Sequence, residues 1–376
     1  MSQTRKYELL RFICFATWCG LLIVGLWPFN FFPRNKVEWL RERNGIHFDW
    51  HGQIFSTVPW SVSEGHSGSA EKDSFSIEVW LQPDKVFGWI SDILSMYDPA
   101  RTKNFTIVQS GADLVVRGRF RDHNNRVGFR SVWLDGVFQQ GRVRFVTVTS
   151  GPLGTALYLE GVRGKLYPYT PAANNLSGML LLGHSSAGGN AWAGALLGLA
   201  IYHRALTPDE VSQHYKAWSE AMAGELAAEK GIVALYPFDE RTGDRILNKV
   251  DWMPDLVIPK KFYILHRTFL AHSFRLQRSD VEDMAINILG FVPFGFLVSA
   301  YLYHAACFPR SKALLLTVIF GAMTSLIIEC LQAYLPSRDS SLPDVINNIL
   351  GTTLGTMAFK VRLVPDELAG RGAASP

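Results

Sequence analysis

The side chain with the most chemical content is Glu329, the one acidic group in a long apolar run bracketed by Lys312 and Arg338. An ionisable residue at membrane depth is costly and marks a functional site by default. Gln332 lies three residues on and shares its helical face. Arg338 follows Glu329 by nine residues, about 13 Å along a helix. Asp344 opens the next apolar run, with Asn347 and Asn348 three and four residues later, and Asp280, Asp283 and Asn287 open an earlier one in the same manner. Glu329 or Asp344 has the chemistry of a general base, and Arg338 that of a group that faces a phosphate or stabilises developing negative charge. No Ser or Cys stands in a nucleophile motif, and Cys330 points about 100° round the helix from Glu329. Plainer readings stand beside these. The asparagines can hydrogen-bond between helices, Glu329 and Arg338 can form a structural ion pair, Asp280 and Asp283 can be interfacial charges, and Gly351-x-x-x-Gly355 is a packing surface.

The elements that must carry these residues are visible in the charge distribution. Of 376 residues, 48% are hydrophobic and only 19% charged, whereas soluble chains average about 25% charged. Phe12–Phe32 holds 21 uncharged residues, Met284–Pro309 holds 26, the Glu329 run is a third, and Val345–Phe359 is a fourth of 15. About 20 apolar residues cross a bilayer. The first three runs reach that length. The fourth reaches it if Lys360 and Arg362 snorkel, and otherwise reads as re-entrant. The first run has the basic start of a secretory signal, but Gly25-Leu26-Trp27-Pro28-Phe29 offers no small-x-small cleavage site, so it reads as an uncleaved anchor. Arg5, Lys6, Arg11, Arg310, Lys312, Lys360 and Arg362 flank the short loops that the positive-inside rule assigns to the cytoplasm. Four spans then put both termini inside and residues 34–278 outside. Topology alone gathers the polar residues of the spans at the outer boundary.

Residues 44–206 read as short strands broken by Gly, Asn and Asp. Ser74–Leu81 alternates, with Phe75, Ile77, Val79 and Leu81 on one face, and Arg142–Thr149, Ala156–Leu159 and Met179–Leu182 behave similarly. Many such strands predict a sandwich or barrel. Thr207-Pro208-Asp209-Glu210 carries a capping box with Pro at N1, and the helix it starts is expected to run to about Lys230. None of the four cysteines lies in this segment, so no disulfide staples it. Trp133, Trp192 and Trp252 are candidate stacking platforms for sugar rings, with core filling as the alternative. Glu78 stands alone among apolar neighbours, and no pair of carboxylates on one strand announces a glycosidase. A net charge of +4 is too small to argue for nucleic acid.

Phe75-Ser-Ile-Glu-Val-Trp-Leu-Gln-Pro83, Tyr158-Leu-Glu-Gly161 and Gly198–Glu210 together resemble the laminin-G or concanavalin-A-like jelly roll over about 44–218. Ala234–Gly243 resembles the phrase that normally opens such a domain. It follows the terminal helix here, so the opening strand is expected to be supplied from the C-terminal side, as in a circular permutant. The resemblance implies carbohydrate or protein binding. Calcium is sometimes present in this fold, and Asp98, Asp113, Asp122 and Asp135 are available donors, but no ion-loop pattern organises them and no metal site is expected. Asn287–Phe296, Glu329-Cys-Leu-Gln332, Arg338 and Asp344–Gly351, with Leu26-Trp-Pro-Phe29, resemble the VanZ-like membrane family, named for association with teicoplanin resistance. That resemblance implies a bacterial envelope protein of the plasma membrane.

The expected architecture is a multidomain membrane protein: an α-helical four-span transmembrane core plus an all-β jelly-roll sandwich ectodomain. Its parts are 1–33 (cytoplasmic N-terminus and first helix), 34–231 (jelly roll with terminal helix), 232–278 (permuted final strand and return segment), 279–363 (VanZ-like helices) and 364–376 (cytoplasmic tail). The expected function is binding of a glycan, surface polymer or lipid-linked precursor, through the sandwich (Trp133, Trp192) and the outward polar cluster (Asn287, Gln332, Asn347, Asn348). The alternative is a membrane enzyme using Glu329, Asp344 and Arg338. Transport by four spans requires a homo-oligomer. No cofactor is called for.

Overall fold

The computed structural model describes residues 3–61, 73–86, 88–100, 105–172, 175–250, 253–271 and 278–372. The chain divides into two units, residues 1–31 with 267–376, and residues 32–266.

The first unit is helical. In chain order among the described residues the helices are α1 (Gln3–Leu26), α2 (Pro208–Ser219), α3 (Arg278–His304), α4 (Arg310–Gln332) and α5 (Leu342–Gly372). All but α2 belong to this unit. Three helical segments among the described residues are long and apolar enough to cross a membrane: Gln3–Leu26, Val281–His304 and Arg310–Gln332. Helix α5 is not among them, so three of the four expected spans are found by length and composition. Its uncharged stretch is short, and Asn347, Asn348, Thr352 and Thr356 are buried along it. Helices α3 and α5 cross closely because glycine allows their backbones to meet. A Cβ on Gly351 would strike the Ile288 carbonyl oxygen, one on Gly355 the Val292 carbonyl oxygen, and one on Gly295 the Thr352 carbonyl oxygen. Leu26, Phe291, Phe294, Val298, Ile328 and Leu335 form the apolar core of this bundle.

The second unit is a β-sandwich. Its strands are β1 (Val37–Trp39), β2 (Ile46–Phe48), β3 (Ile54–Ser56), β4 (Trp60–Ser61), β5 (Phe75–Pro83), β6 (Ile90–Tyr97) and β7 (Phe105–Ser110). They continue as β8 (Asp113–Arg121), β9 (Val127–Leu134), β10 (Arg144–Gly151), β11 (Gly154–Leu159), β12 (Val162–Tyr167) and β13 (Thr170–Pro171). The last are β14 (Ser177–Leu182), β15 (Gly194–Tyr202), β16 (Ile232–Tyr236), β17 (Arg245–Ile246) and β18 (Leu256–Val257). One sheet runs β1-β2-β15-β5-β10-β11-β12, with β16 also on β15, and the other runs β13-β8-β7-β6-β14-β3-β18-β17, with β9 on β8 and β4 on β14.

Strand β5 shows how the sequence sets the layers. Phe75, Ile77, Val79 and Leu81 point into the core between the sheets. The opposite face, with Trp80 against Phe145, Tyr215 and Trp218, packs under α2. Helix α2 has the capping box, with the Thr207 side chain and Glu210 bonding each other's backbone N–H. It ends at Ser219 rather than near Lys230. Ala221 takes a left-handed conformation with φ 60°, which stops the helix, and a 3-10 turn at Ala223–Ala228 follows. Strand β16 then pairs antiparallel with β15, Leu199 opposite Tyr236 and Ile201 opposite Ala234. Strands β17 and β18 pair with each other, and β18 joins β3 in the other sheet.

Candidate functional site

In the helical unit, Glu329 is 2% exposed near the end of α4, and its Oε2 accepts a hydrogen bond from the Ser341 backbone N–H at 2.8 Å. The carboxylate thereby ties α4 to the start of α5. Gln332 Nε2 donates to the Gly25 carbonyl at 2.8 Å and ties α4 to α1. The Asp344 carboxylate interacts with the side chains of Ser341 and Asn287 and lies near Asp283. It also lies within electrostatic range of Glu329. Asn348 is buried one turn further in, where its Nδ2 donates to Ser325 Oγ at 2.9 Å. Its Oδ1 is buried with no hydrogen-bond partner among the described residues. Asn347 is buried as well.

Arg338 is placed differently. Its Nε donates to the Trp27 carbonyl at 3.3 Å, and among the described residues no ion pair joins it to Glu329. Glu329, Asp344, Asn287 and Asn348 thus gather at one end of the bundle, and Arg338, which caps the end of α1, lies within electrostatic range of Glu329. The arrangement pins helices together and leaves two carboxylates near each other. The side chain of Asp280 lies outside the described residues.

Deeper in the bundle, Ser299 Oγ bonds Thr317 Oγ1 at 3.1 Å and Thr356 Oγ1 at 3.4 Å, all three groups being buried. Such interhelical bonds are worth about 0.6–2 kcal/mol each in a membrane.

In the sandwich, the tryptophans separate by burial. Trp192 is 1% exposed, its indole N–H donating to Gln109 Oε1 at 2.9 Å. It is a core side chain and not the open platform expected, because Phe48 packs against it from β2. Trp133 is 43% exposed on β9. The Lys165 ammonium lies 4.6 Å from its ring centroid and the Tyr167 ring 5.7 Å away. The Tyr167 hydroxyl accepts from the Trp133 backbone N–H and donates to its carbonyl, which fixes the platform to β12. Trp252 lies outside the described residues.

Sequence reasoning missed a second aromatic pair. Trp50 and Trp89 are 39% and 52% exposed, with ring centroids 6.0 Å apart. The Lys85 ammonium stands 5.9 Å from the Trp50 ring. Both tryptophans sit in loops between strands, where no periodicity reports which way a side chain points.

Glu78 has partners after all. It is fully buried and holds His214 Nδ1 at 2.9 Å, Trp218 Nε1 at 3.3 Å and the Tyr202 hydroxyl at 3.4 Å. Burial opposes a charge on His214, but the hydrogen bond and charge of Glu78 outweigh it and hold the imidazole above its ordinary value. This is a buried ion pair beneath α2, with Glu229 and Glu210 within electrostatic range of His214. Asp98 and Asp113 accept backbone N–H bonds from Ala100 and Gly136. Asp122 binds its own turn and Arg130, and Asp135 lies 3.9 Å from Lys165. Among the described residues no three His, Cys, Asp or Glu side chains converge on a metal position.

Two family models match the chain: VanZ/LLP1 over residues 225–363, and the concanavalin A-like lectin/glucanases superfamily over residues 61–212. The chain joins a VanZ-like segment to a concanavalin A-like domain. The VanZ-like match begins at 225 and so includes β16, β17 and β18, whereas the sequence motifs place that resemblance at about 7–32 and 279–363. No curated protein matches the chain. Among solved structures, the native heptameric SAP-like pentraxin from Limulus polyphemus is 14% identical, with 61% of this chain and 90% of that one covered and a TM-score of 0.35. A putative carbohydrate binding protein from Bacteroides ovatus is 13% identical, with 61% and 62% covered and a TM-score of 0.39. The receptor binding domain of botulinum neurotoxin C/D mosaic serotype is 14% identical, with 49% and 45% covered and a TM-score of 0.31.

Proposed function

We propose that this chain is a multi-pass protein of a bacterial plasma membrane that holds an envelope glycan, surface polymer or lipid-linked precursor at the membrane. In this reading α5 is a fourth span, both termini are cytoplasmic, and the sandwich faces outward. The part boundaries are 1–33, 34–231, 232–278, 279–363 and 364–376. The observation that carries the reading is the exposed Trp133 ring, flanked by Lys165 and Tyr167 on a lectin-like sandwich. An apolar ring face of this kind suits the apolar face of a sugar, and the adjacent cation suits an anionic substituent. The polar end of the bundle, with Glu329, Asp344, Asn287, Gln332, Asn347 and Asn348, is the second half of the proposal. It would hold the headgroup of a lipid-linked ligand. The enzymatic alternative is not better supported: Arg338 lies within electrostatic range of Glu329 but bonds the Trp27 carbonyl and makes no ion pair with it among the described residues.

The test is envelope profiling of a strain lacking the protein, beside strains carrying Trp133→Ala or Glu329→Gln. The expected outcome is a changed amount or surface retention of one envelope glycan or lipid-linked precursor in all three. Unchanged profiles, with each variant present in the membrane, contradict the proposal.

A further inference from the structure

The net charge of this protein is concentrated on one edge of the sandwich. Residues 113–135 and 162–167 contain seven basic residues against three acidic ones, a surplus of +4 that equals the net charge of the entire chain. The three acids are occupied: Asp113 by the Gly136 N–H, Asp122 by its turn and Arg130, and Asp135 beside Lys165.

Strand alternation sorts the basic residues further. Leu114, Val116 and Phe120 of β8 point into the core, so Arg117, Arg119 and Arg121 take the outer face. Consecutive members of that column stand about 7 Å apart. Their β9 partners are Ser131, Phe129 and Val127, and Trp133 lies opposite Val115 in the same register. One face therefore carries a column of guanidinium groups beside a column of Val127, Phe129, Ser131 and Trp133. Arg119 is exposed, and no carboxylate among the described residues pairs with it. Arg117 has Asp92 nearby, but burial pushes that carboxyl up to about 7, so it offsets Arg117 only in part. Arg121 Nη1 donates to Asn125, a neutral group. Like charges in a row repel one another, and an anionic ligand relieves that repulsion.

We propose that Trp133 and the Arg117–Arg119–Arg121 column form one site for a polyanionic glycan. The proposal rests on the glycan-binding reading above and names the class of ligand. A sugar ring stacks on Trp133, and anionic substituents of successive units meet the guanidinium groups along β8. The planar fork of arginine accepts a phosphodiester or a carboxylate equally, so anionic charge on a repeating glycan is the shared chemistry. A bilayer surface fits less well, because the Trp133 ring packs against Lys165 and Tyr167 instead of standing free.

The test uses the full chain in phosphatidylcholine nanodiscs, with poly(glycerol phosphate), polygalacturonate and neutral dextran as probes. The variants are Arg117→Ser with Arg119→Ser, and Arg245→Ser as a control at an exposed position on β17. Thermal unfolding confirms that each is folded. One or both polyanions should bind and dextran should not. The double variant should bind about tenfold more weakly or worse, added salt should weaken binding, and Arg245→Ser should bind as the parent does. The phosphate and carboxylate arms identify the source of the charge. Dextran binding equal to the polyanions, or a double variant of unchanged affinity, overturns the inference and leaves the glycan reading standing. Retention of no polymer overturns both. Binding to phosphatidylglycerol vesicles without polymer, lost in the double variant, reassigns the face to a bilayer and overturns the inference.

Discussion

Replacing Glu78 with Gln keeps the shape of the side chain and removes its charge from the centre of a buried network. The Glu78 oxygens hold His214 at 2.9 Å, Trp218 at 3.3 Å and Tyr202 at 3.4 Å, and the His214 side chain is 3% exposed. Removing one partner of a buried pair costs about 3–5 kcal/mol, because the other charge is left uncompensated. In a unit of this size each kcal/mol moves the midpoint by roughly 2–4 °C, so Glu78→Gln should lower it by roughly 10 °C. The pH dependence gives the cause. His214 titrates above its ordinary value when folded, so the pair's contribution is complete below about pH 6.5 and is lost as pH rises through the folded value. The cost of Glu78→Gln should therefore be largest at mildly acid pH and shrink at alkaline pH. The assay is thermal unfolding of the full chain in detergent, followed by tryptophan fluorescence across that range. A variant that unfolds with the parent at every pH, or whose deficit grows as pH rises, refutes the reasoning.

Two further outcomes follow from the helical unit and its proposed topology. Gly355→Leu drives a side chain into the Val292 carbonyl, and should cost about 1–3 kcal/mol or more of bundle stability, read as a lower midpoint of aggregation in detergent. With Cys14, Cys19 and Cys330 replaced by Ala, the exposed Cys307 should react with an impermeant maleimide only after the cells are opened. A cysteine at the exposed position Leu153 should react in intact cells, and the reverse pattern would invert the proposed orientation.

Much of the sandwich was legible because strands such as β5 and β8 alternate with a period of two. The face of β5 that enters the core is the one that alternation selects, and the capping box starts α2 where the sequence places it. The end of α2 was not legible. Residues 220–230 contain good helix formers, and only the left-handed turn at Ala221 reveals the break. Tryptophan roles were equally hidden, since ring chemistry is the same in a core and on a surface. Trp192 is buried by the sheet partners of β15, whereas Trp133 stays open because β9 is an edge strand. Trp50 and Trp89 come together across 39 residues of sequence, through loops without a periodic signal. In the membrane unit the clustering of Glu329, Asp344 and Asn287 follows from alternating helix directions. The bond of Arg338 to the Trp27 carbonyl does not, because it depends on how the Pro336–Ser341 turn folds back.

The most direct test of the central claim is the affinity of the full chain, held in lipid nanodiscs, for isolated envelope glycans, compared between the parent and Trp133→Ala. Saturable binding that falls about tenfold or more in the variant, with the unfolding midpoint unchanged, is the predicted result. Equal affinity in parent and variant, or no binding by either, contradicts the account.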